Sequence, residues 1–450
     1  MKIDCFIAEI GSTTTIVNAF QFKPEVLFLG RGVSKTTVDT DVREGLKCAI
    51  DNFVLINKVS NLDYDEMFAS SSAAGGLKMT VSGLVYEMTV KASKEAALNA
   101  GANIHHITSG ILDEVDLETI IDIKPNIILV SGGTDYGEKE TAYTNLKKVI
   151  SLQLNTPIIY AGNTANHKRI YKEFENLLNN KELRIVENVY PRVDYMNIQP
   201  LRNEIHRTFE EHIIHAKGME YIKEMVNQSI IPTPGAVMES TMLLYEIFGN
   251  VMTIDVGGAT TDVHSVCEPS DEYRKYYEGN PKEKRTVEGD LGVFVNYKSV
   301  LSLMDTEKLL RKLEIDTKAF NDLLQNYNYI PKTNLETKLV YELTKKCVFK
   351  ALDRHVGDQK KIYTSNGQKM IPEGKDLSQL NLIVLTGGPL IHLENTELII
   401  KEYIEQNPSK LLPKNTIRIM KDNEYLLSSI GTIISKYKDF SKDIIIKYVK

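Results

Sequence analysis

Cysteine is scarce: Cys5, Cys48, Cys267 and Cys347 are the four in 450 residues, far apart and mostly in apolar runs. That usage suits reduced, buried thiols in a cytosol better than disulfides. No Cys-x-x-Cys and no His-Glu-x-x-His occurs, so no dedicated metal cage is signalled. No apolar run approaches the length of a membrane span. The chain starts directly in a strand pattern, without the basic segment and apolar core of a secretion signal. Charge of one sign is also in short supply: 54 basic residues stand against 60 acidic ones, for a net charge of −6. Nucleic-acid binding usually shows a basic stripe, and none is present. The expectation is a cytoplasmic protein whose partners include neither nucleic acid nor membrane. Two phosphate-binding signatures are missing as well. No Gly-x-x-x-x-Gly-Lys-[Ser/Thr] occurs, which excludes a Walker-type loop, and no Gly-x-Gly-x-x-Gly follows a strand, which excludes the dinucleotide fingerprint.

What is present is an ordinary globular composition, 42% hydrophobic and 25% charged, in a chain long enough for roughly three domains or two large lobes. Strand and helix patterns alternate almost throughout, which predicts an α/β fold. Strands are expected at Phe6–Ile10, Ile16–Phe20 and Val26–Gly30, then a helix over Val42–Phe53. From 104 to 187 the strand-like stretches "NIHHI", "NIILV", "PIIYA" and "LRIVE" are separated by helical segments. This reads as an inserted, parallel, Rossmann-like βαβ unit. The stretch from Pro269 to Arg285 reads as an exposed loop.

Three short motifs carry the chemistry. The first is Glu9-Ile-Gly11-Ser12-Thr13-Thr14, the second Asp255-Val-Gly257-Gly258-Ala259-Thr260-Thr261-Asp262, the third Thr386-Gly387-Gly388 after an apolar strand. The first two are one device. A strand delivers a carboxylate, a glycine turns the chain tightly, and amides and hydroxyls then face an anion. A carboxylate beside phosphate is explained by a Mg²⁺ and its waters between them. The third motif is a bare glycine turn where a flat base can approach the backbone.

With these motifs the sequence resembles the actin, heat-shock-70 and sugar-kinase superfamily of ATP-binding proteins. "EIGSTTTIVNAF" is similar to its first phosphate motif, "TIDVGGATTDVHSV" to its second and "VLTGGPLI" to its adenosine motif. "ASSSAAGG" and "SSIGTIIS" fall where its linking helices lie. A closer resemblance runs over most of the chain. "AEIGSTTT", "SSAAGGL", "SGGTDYG", "PIIYAGN", "TPGAV" and "RTVEGDLG" together resemble the glutamate mutase accessory protein family, MutL or GlmL. That resemblance implies a two-lobed actin-like ATPase fold with ribonuclease H-like lobes. The expected division is 1–103 for the first lobe, 104–190 for the inserted unit, 191–250 for a helical continuation, 251–425 for the second lobe, and 426–450 for a helix returning to the first.

It also implies ATP and Mg²⁺ as cofactors, weak Mg²⁺-dependent ATPase activity, and a chaperone or reactivating role toward a cobalamin-dependent mutase, either glutamate mutase or an aminomutase. Gly11, Ser12, Thr13, Thr14, Gly257, Gly258, Ala259 and Thr260 would cradle phosphates, and Gly387 and Gly388 would flank adenosine. Glu9, Asp255 and Asp262 would hold the metal through water, with Glu9, Asp255 and Glu239 as the catalytic candidates. Glu9 stands where the superfamily usually has Asp, which alters the reach to a metal-bound water. The alternatives are a small-molecule kinase and a nucleotide-binding structural subunit that does not hydrolyse ATP.

Other features have plainer readings. "SGGTDYGEKET" is either a second ligand site at a strand's carboxyl end or a glycine-rich loop with Asp135 capping the next helix. His105 and His106 are adjacent on a strand and point to opposite faces, which argues against a metal pair. In "DRHVG", Gly357 reads as a helix C-cap, so direct cobalamin ligation by His355 is not expected. "RTVEGDLG" either lines a cleft or shapes a hairpin.

Overall fold

A computed structural model describes the chain apart from residues 1, 12–13, 38–39, 61, 72–76, 213–218, 228–229, 329, 365–366, 414–416 and 450. Contacts divide the described chain into two units: 1–240 with 278–281 and 428–444, and 241–277 with 282–427 and 445–450.

In the first unit, β1 (Lys2–Ile10), β2 (Thr14–Gln21) and β3 (Leu27–Lys35) form an antiparallel meander. On the other side of β1 lie β4 (Asp63–Ser71) and β10 (Ile231–Pro232), both parallel to it, for the order β10-β4-β1-β2-β3. This is the ribonuclease H-like layer that the motifs implied. The middle of β1, Cys5 to Ala8, is an unbroken apolar run because both its faces are covered. Phe6 meets Phe53 and Tyr64 edge to face, with centroids 5.3 and 5.1 Å apart. Phe53 comes from the helix Val42–Ile56, which buries Val42, Leu46, Ala49 and Phe53 at helical spacing beneath the Asp41 cap.

The same unit holds a fully parallel sheet of β5 (Leu77–Gly83), β6 (Ala102–Ser109), β7 (Ile127–Val130), β8 (Ile158–Tyr160) and β9 (Leu183–Ile185), in the order β6-β5-β7-β8-β9. This parallel sheet starts earlier than residue 104, where an inserted unit is expected to begin, because β5 lies inside it. Thr80 and Ser82 interrupt the apolar pattern of β5, yet both are buried.

The second unit repeats the first layer. Strands β11 (Val251–Val256), β12 (Thr261–Val266) and β13 (Glu283–Glu288) are antiparallel; β16 (Leu382–Thr386) and β17 (Arg418–Lys421) run parallel to β11. The order is β13-β12-β11-β16-β17. The helix Asn334–His355 starts on a Thr333–Glu336 capping box and buries Leu339, Leu343, Cys347 and Ala351 in this unit's core. A separate hairpin, β14 (Asp358–Thr364) with β15 (Gly367–Glu373), completes the strands.

Two expectations are corrected here. The end of the supposed loop from Pro269 to Arg285 is strand β13, with Arg285 wholly buried. Gly357 is not a left-handed cap: the helix closes on Val356 in extended conformation. A β-carbon at Gly357 would stand 2.5 Å from the Glu373 carbonyl oxygen, so glycine there serves close approach of two chains. Among the described residues, no helix is long and apolar enough to cross a membrane.

Candidate functional site

The two glycine hairpins share one geometry. In the first, the Gly11 amide donates to the Thr14 carbonyl at 3.0 Å, and Glu9 faces Ile16 across the strand pair. In the second, the Gly257 amide donates to the Thr260 carbonyl at 2.8 Å, and Asp255 faces Asp262. Each carboxylate stands two residues before its glycine, and each turn closes on a threonine three residues after it. Glycine is required by contact: a β-carbon on Gly11 would lie 2.6 Å from the oxygen that its own amide bonds. Ser12 and Thr13 fall outside the described residues. Thr14 is already the first residue of β2.

Around the first hairpin, Glu9 is buried and accepts a hydrogen bond from the Ser428 hydroxyl. Asn18 donates to Ser429 Oγ at 2.8 Å and accepts from Arg31 Nε at 3.2 Å. Ser428 and Ser429 open the helix Leu427–Tyr448, the segment whose "SSIGTIIS" resembles a linking helix. The hydroxyl pair was visible in the sequence; its tie to Glu9, from the far end of the chain, was not.

The second hairpin is braced from outside. Val293 N–H donates to the Gly257 carbonyl at 3.2 Å, and Phe294 and Val295 donate to that of Gly258 at 2.9 and 2.7 Å. Asn296 Nδ2 holds the Ala259 carbonyl at 2.7 Å. In a trans peptide the N–H points opposite its C=O. Tying back these three carbonyls therefore aims the amides of Gly258, Ala259 and Thr260 the other way, as an anion-binding nest requires. The bracing strip follows "RTVEGDLG", so that motif shapes and supports the turn. Its acids are fixed by Arg354, which donates to Glu288 at 2.5 Å and to both Asp290 oxygens at 2.7 and 2.8 Å. Those bonds hold Asp290 below the usual carboxylate range, whereas burial pushes Glu288 up against the pull of Arg354.

The third motif meets the second hairpin within the same unit. Asp255 pairs in register with Thr386, and Gly387 follows at φ +89°. A β-carbon at Gly387 would stand 2.5 Å from Asp255 Oδ1. Thr386 Oγ1 donates to the buried Asp422 at 3.0 Å, and Asp422 also accepts the amides of Leu426 and Leu427 at 2.7 and 3.0 Å. Gly388 begins a short helix, Gly388–His392. The structure thus brings together Asp255, Gly257, Gly258, Ala259, Thr260, Asp262 and Gly387. Asp262 directs one oxygen to Arg285 at 2.7 Å and the other to Thr260 Oγ1 at 3.2 Å. Glu239 lies in an ion pair with the buried Arg202 of the helix Ile198–His212. Among the described residues no three His, Cys, Asp or Glu side chains converge on a metal position. The oxygen donors at the hairpin suit a hard cation held through water and phosphate.

The remaining motifs are structural. His355 is buried between Ser265 Oγ at 2.9 Å and Thr286 Oγ1 at 3.0 Å. His106 bonds Asp116 at 2.9 Å. In "SGGTDYGEKET", Glu138, not Asp135, caps the following helix by accepting the amides of Glu140 and Thr141 at 2.7 and 2.9 Å. Asp135 instead links loops, accepting from Asn188 Nδ2 at 2.9 Å and from the Thr164 amide at 3.1 Å.

Among solved structures, the chain resembles a glycerol dehydratase reactivase (10% identity, 96% of this chain and 100% of that one, TM-score 0.40). It also resembles the xylulose kinase of Lactobacillus acidophilus (9% identity, 100% and 92%, TM-score 0.37). The strand order of each sheet, rather than these distant likenesses, fixes the fold. Among curated proteins, Protein MutL of Clostridium tetanomorphum is 32% identical over 460 residues, covering 98% of each chain. The profile of the MutL protein family matches residues 5–449, and with that span and that identity the chain belongs to the MutL protein family.

Proposed function

We propose that this chain binds ATP with Mg²⁺ on its glycine hairpins and acts as a reactivating or chaperone factor for a cobalamin-dependent mutase, either glutamate mutase or an aminomutase. The observation that supports the nucleotide reading best is the repeated hairpin, with an acid two residues before a glycine whose amide closes on a threonine. The amides of Gly258, Ala259 and Thr260 receive phosphate oxygens, and Gly11 with Thr14 forms the corresponding turn in the other unit. Asp255 reaches Mg²⁺ through water, and the cation supplies the positive charge that lets a carboxylate and phosphate share a hairpin; Glu9 is the corresponding acid of the first unit's hairpin. Gly387, pressed against Asp255, offers bare backbone to the adenosine. Membership of the MutL family over almost the whole chain supports the accessory role.

Phosphate release from Mg-ATP, measured with and without an inactivated cobalamin-dependent mutase, tests this. The expected result is slow release, stimulated by the mutase and accompanied by recovery of mutase activity. Phosphoryl transfer to a small metabolite with no protein partner would make the chain a kinase. Tight ATP binding with no hydrolysis under either condition would make it a structural nucleotide-binding subunit.

A further inference from the structure

The two hairpins repeat more than their turns. On β3, Arg31 is the register partner of Asn18, two residues beyond Ile16; on β13, Arg285 is the register partner of His264, two residues beyond Asp262. The arginines thus occupy equivalent places in the two layers, but they do different things. Arg31 donates to its own register partner, Asn18. Arg285 turns to Asp262, with Nη2 to Oδ1 at 2.7 Å. Two neighbours differ: the register partner, Asn18 against His264, and the residue facing the acid across the hairpin, Ile16 opposite Glu9 but Asp262 opposite Asp255. The second hairpin carries a second carboxylate, and its arginine is directed onto it.

Charge counting shows what this achieves. Asp255 and Asp262 face each other across an antiparallel pair, where side chains are close neighbours and like charges repel. Arg285 is wholly buried and feels both acids. His264, beside it on β12, is fully buried as well. Arg285 thus offsets one of the two carboxylates that face each other at the base of the phosphate turn.

We infer that Arg285 is a positioning residue for the nucleotide's metal: by engaging Asp262 it offsets one of the two facing carboxylates beside which Mg²⁺ would bind. The inference rests on the nucleotide reading above. A purely structural ion pair would stabilise the sheet equally with and without the cation. A metal-tuning pair makes the Mg²⁺ requirement follow the charge.

The test titrates Mg²⁺ against binding of a non-hydrolysable ATP analogue to the full chain, with thermal unfolding in the presence and absence of Mg²⁺ as a second readout. Arg285→Met leaves two carboxylates and should lower the Mg²⁺ midpoint about tenfold. Asp262→Asn leaves a carboxylate beside an arginine and should raise it about tenfold. The double variant and Arg285→Lys should both lie near the wild-type midpoint. In unfolding, Mg²⁺ should recover part of the stability lost by Arg285→Met and leave the double variant as it leaves wild type. Should Arg285→Met not fold, the opposed positions of Asp262→Asn and the double variant carry the same sign test. Coincident midpoints, or both single variants shifting in one direction, would overturn the role of Arg285 while wild-type nucleotide binding stands. A wild type that binds no Mg²⁺-nucleotide would overturn both readings.

Discussion

Gly431 and Ala236 touch backbone to backbone: a β-carbon at Gly431 would collide with the Ala236 carbonyl. The contact joins the helix Leu427–Tyr448, whose Ser428 holds Glu9, to the helix Thr233–Phe248, which follows directly on strand β10. Glycine in a helix interior costs about 1 kcal/mol relative to alanine, so its presence there reports the closeness of the crossing.

Gly431→Ala should therefore destabilise the protein by about 1–3 kcal/mol despite its better helix propensity. Urea unfolding checks this. An unchanged or raised midpoint would show that the two helices have room to part.

Gly387→Ala should separate site from fold. The substitution places a side chain at φ +89° and against Asp255 Oδ1. Strain there costs roughly 1–3 kcal/mol, and relief requires Asp255 to move. Mg²⁺-dependent ATP affinity should fall on the order of tenfold, equivalent to about 1.4 kcal/mol, with the circular dichroism spectrum retained. Calorimetric titration with Mg²⁺ and a non-hydrolysable ATP analogue measures it, and wild-type affinity in the variant would remove Gly387 from the site.

The hairpins were legible in the sequence because everything each turn needs lies within six neighbouring residues: acid, glycine and hydroxyls. The layers around them followed from that repetition. The β5 strand was not legible because Thr80 and Ser82 carry polar atoms into a buried strand. Arg285 was not legible because its reason for burial, Asp262, stands on the next strand and only the register of β12 with β13 brings them together. The same holds for Glu9, whose hydroxyl partner at Ser428 stands at the other end of the chain. Gly431 was conspicuous inside a helix, but nothing local names the Ala236 carbonyl as its cause.

Gly258 offers a paired substitution that isolates charge from volume. The nearest atom to a β-carbon there is Phe294 Cβ at 3.5 Å, an ordinary contact. Gly258→Ala should bind ATP within about threefold of wild type, because a methyl group fits and a few tenths of a kcal/mol is all it changes. Gly258→Asp adds a negative charge to the amides that receive phosphate and should abolish detectable binding. Equal ATP affinity in the two variants would refute the assignment of phosphate to this turn.

Glu239 is expected to matter for stability. Its partner Arg202 is buried, and neutralising the acid weakens that ion pair. Glu239→Gln should lower the unfolding free energy by about 1–3 kcal/mol while ATP affinity holds. Loss of ATP hydrolysis at unchanged stability would return Glu239 to the catalytic group.

His206 sets a pH dependence with a definite sign. Its Nε2 lies 3.1 Å from the Ala100 carbonyl and, as the neutral tautomer, donates to it. Burial first, then the charge of Arg202, lowers its pKa to about 4, against 6.5 ordinarily. Between those values the unfolded chain takes up a proton that the folded chain refuses. The stability tied to neutral His206 is thus complete above about pH 6.5 and is lost as pH falls toward 4, at up to about 1.4 kcal/mol per pH unit. His206→Gln keeps a donor for Ala100 and removes the titration. Urea unfolding at a series of pH values from 7 down to 5 should show wild type losing more stability than the variant, with the gap between them changing by up to about 2 kcal/mol. Parallel curves would mean that His206 is protonated equally in both states, and so is not held neutral by its surroundings.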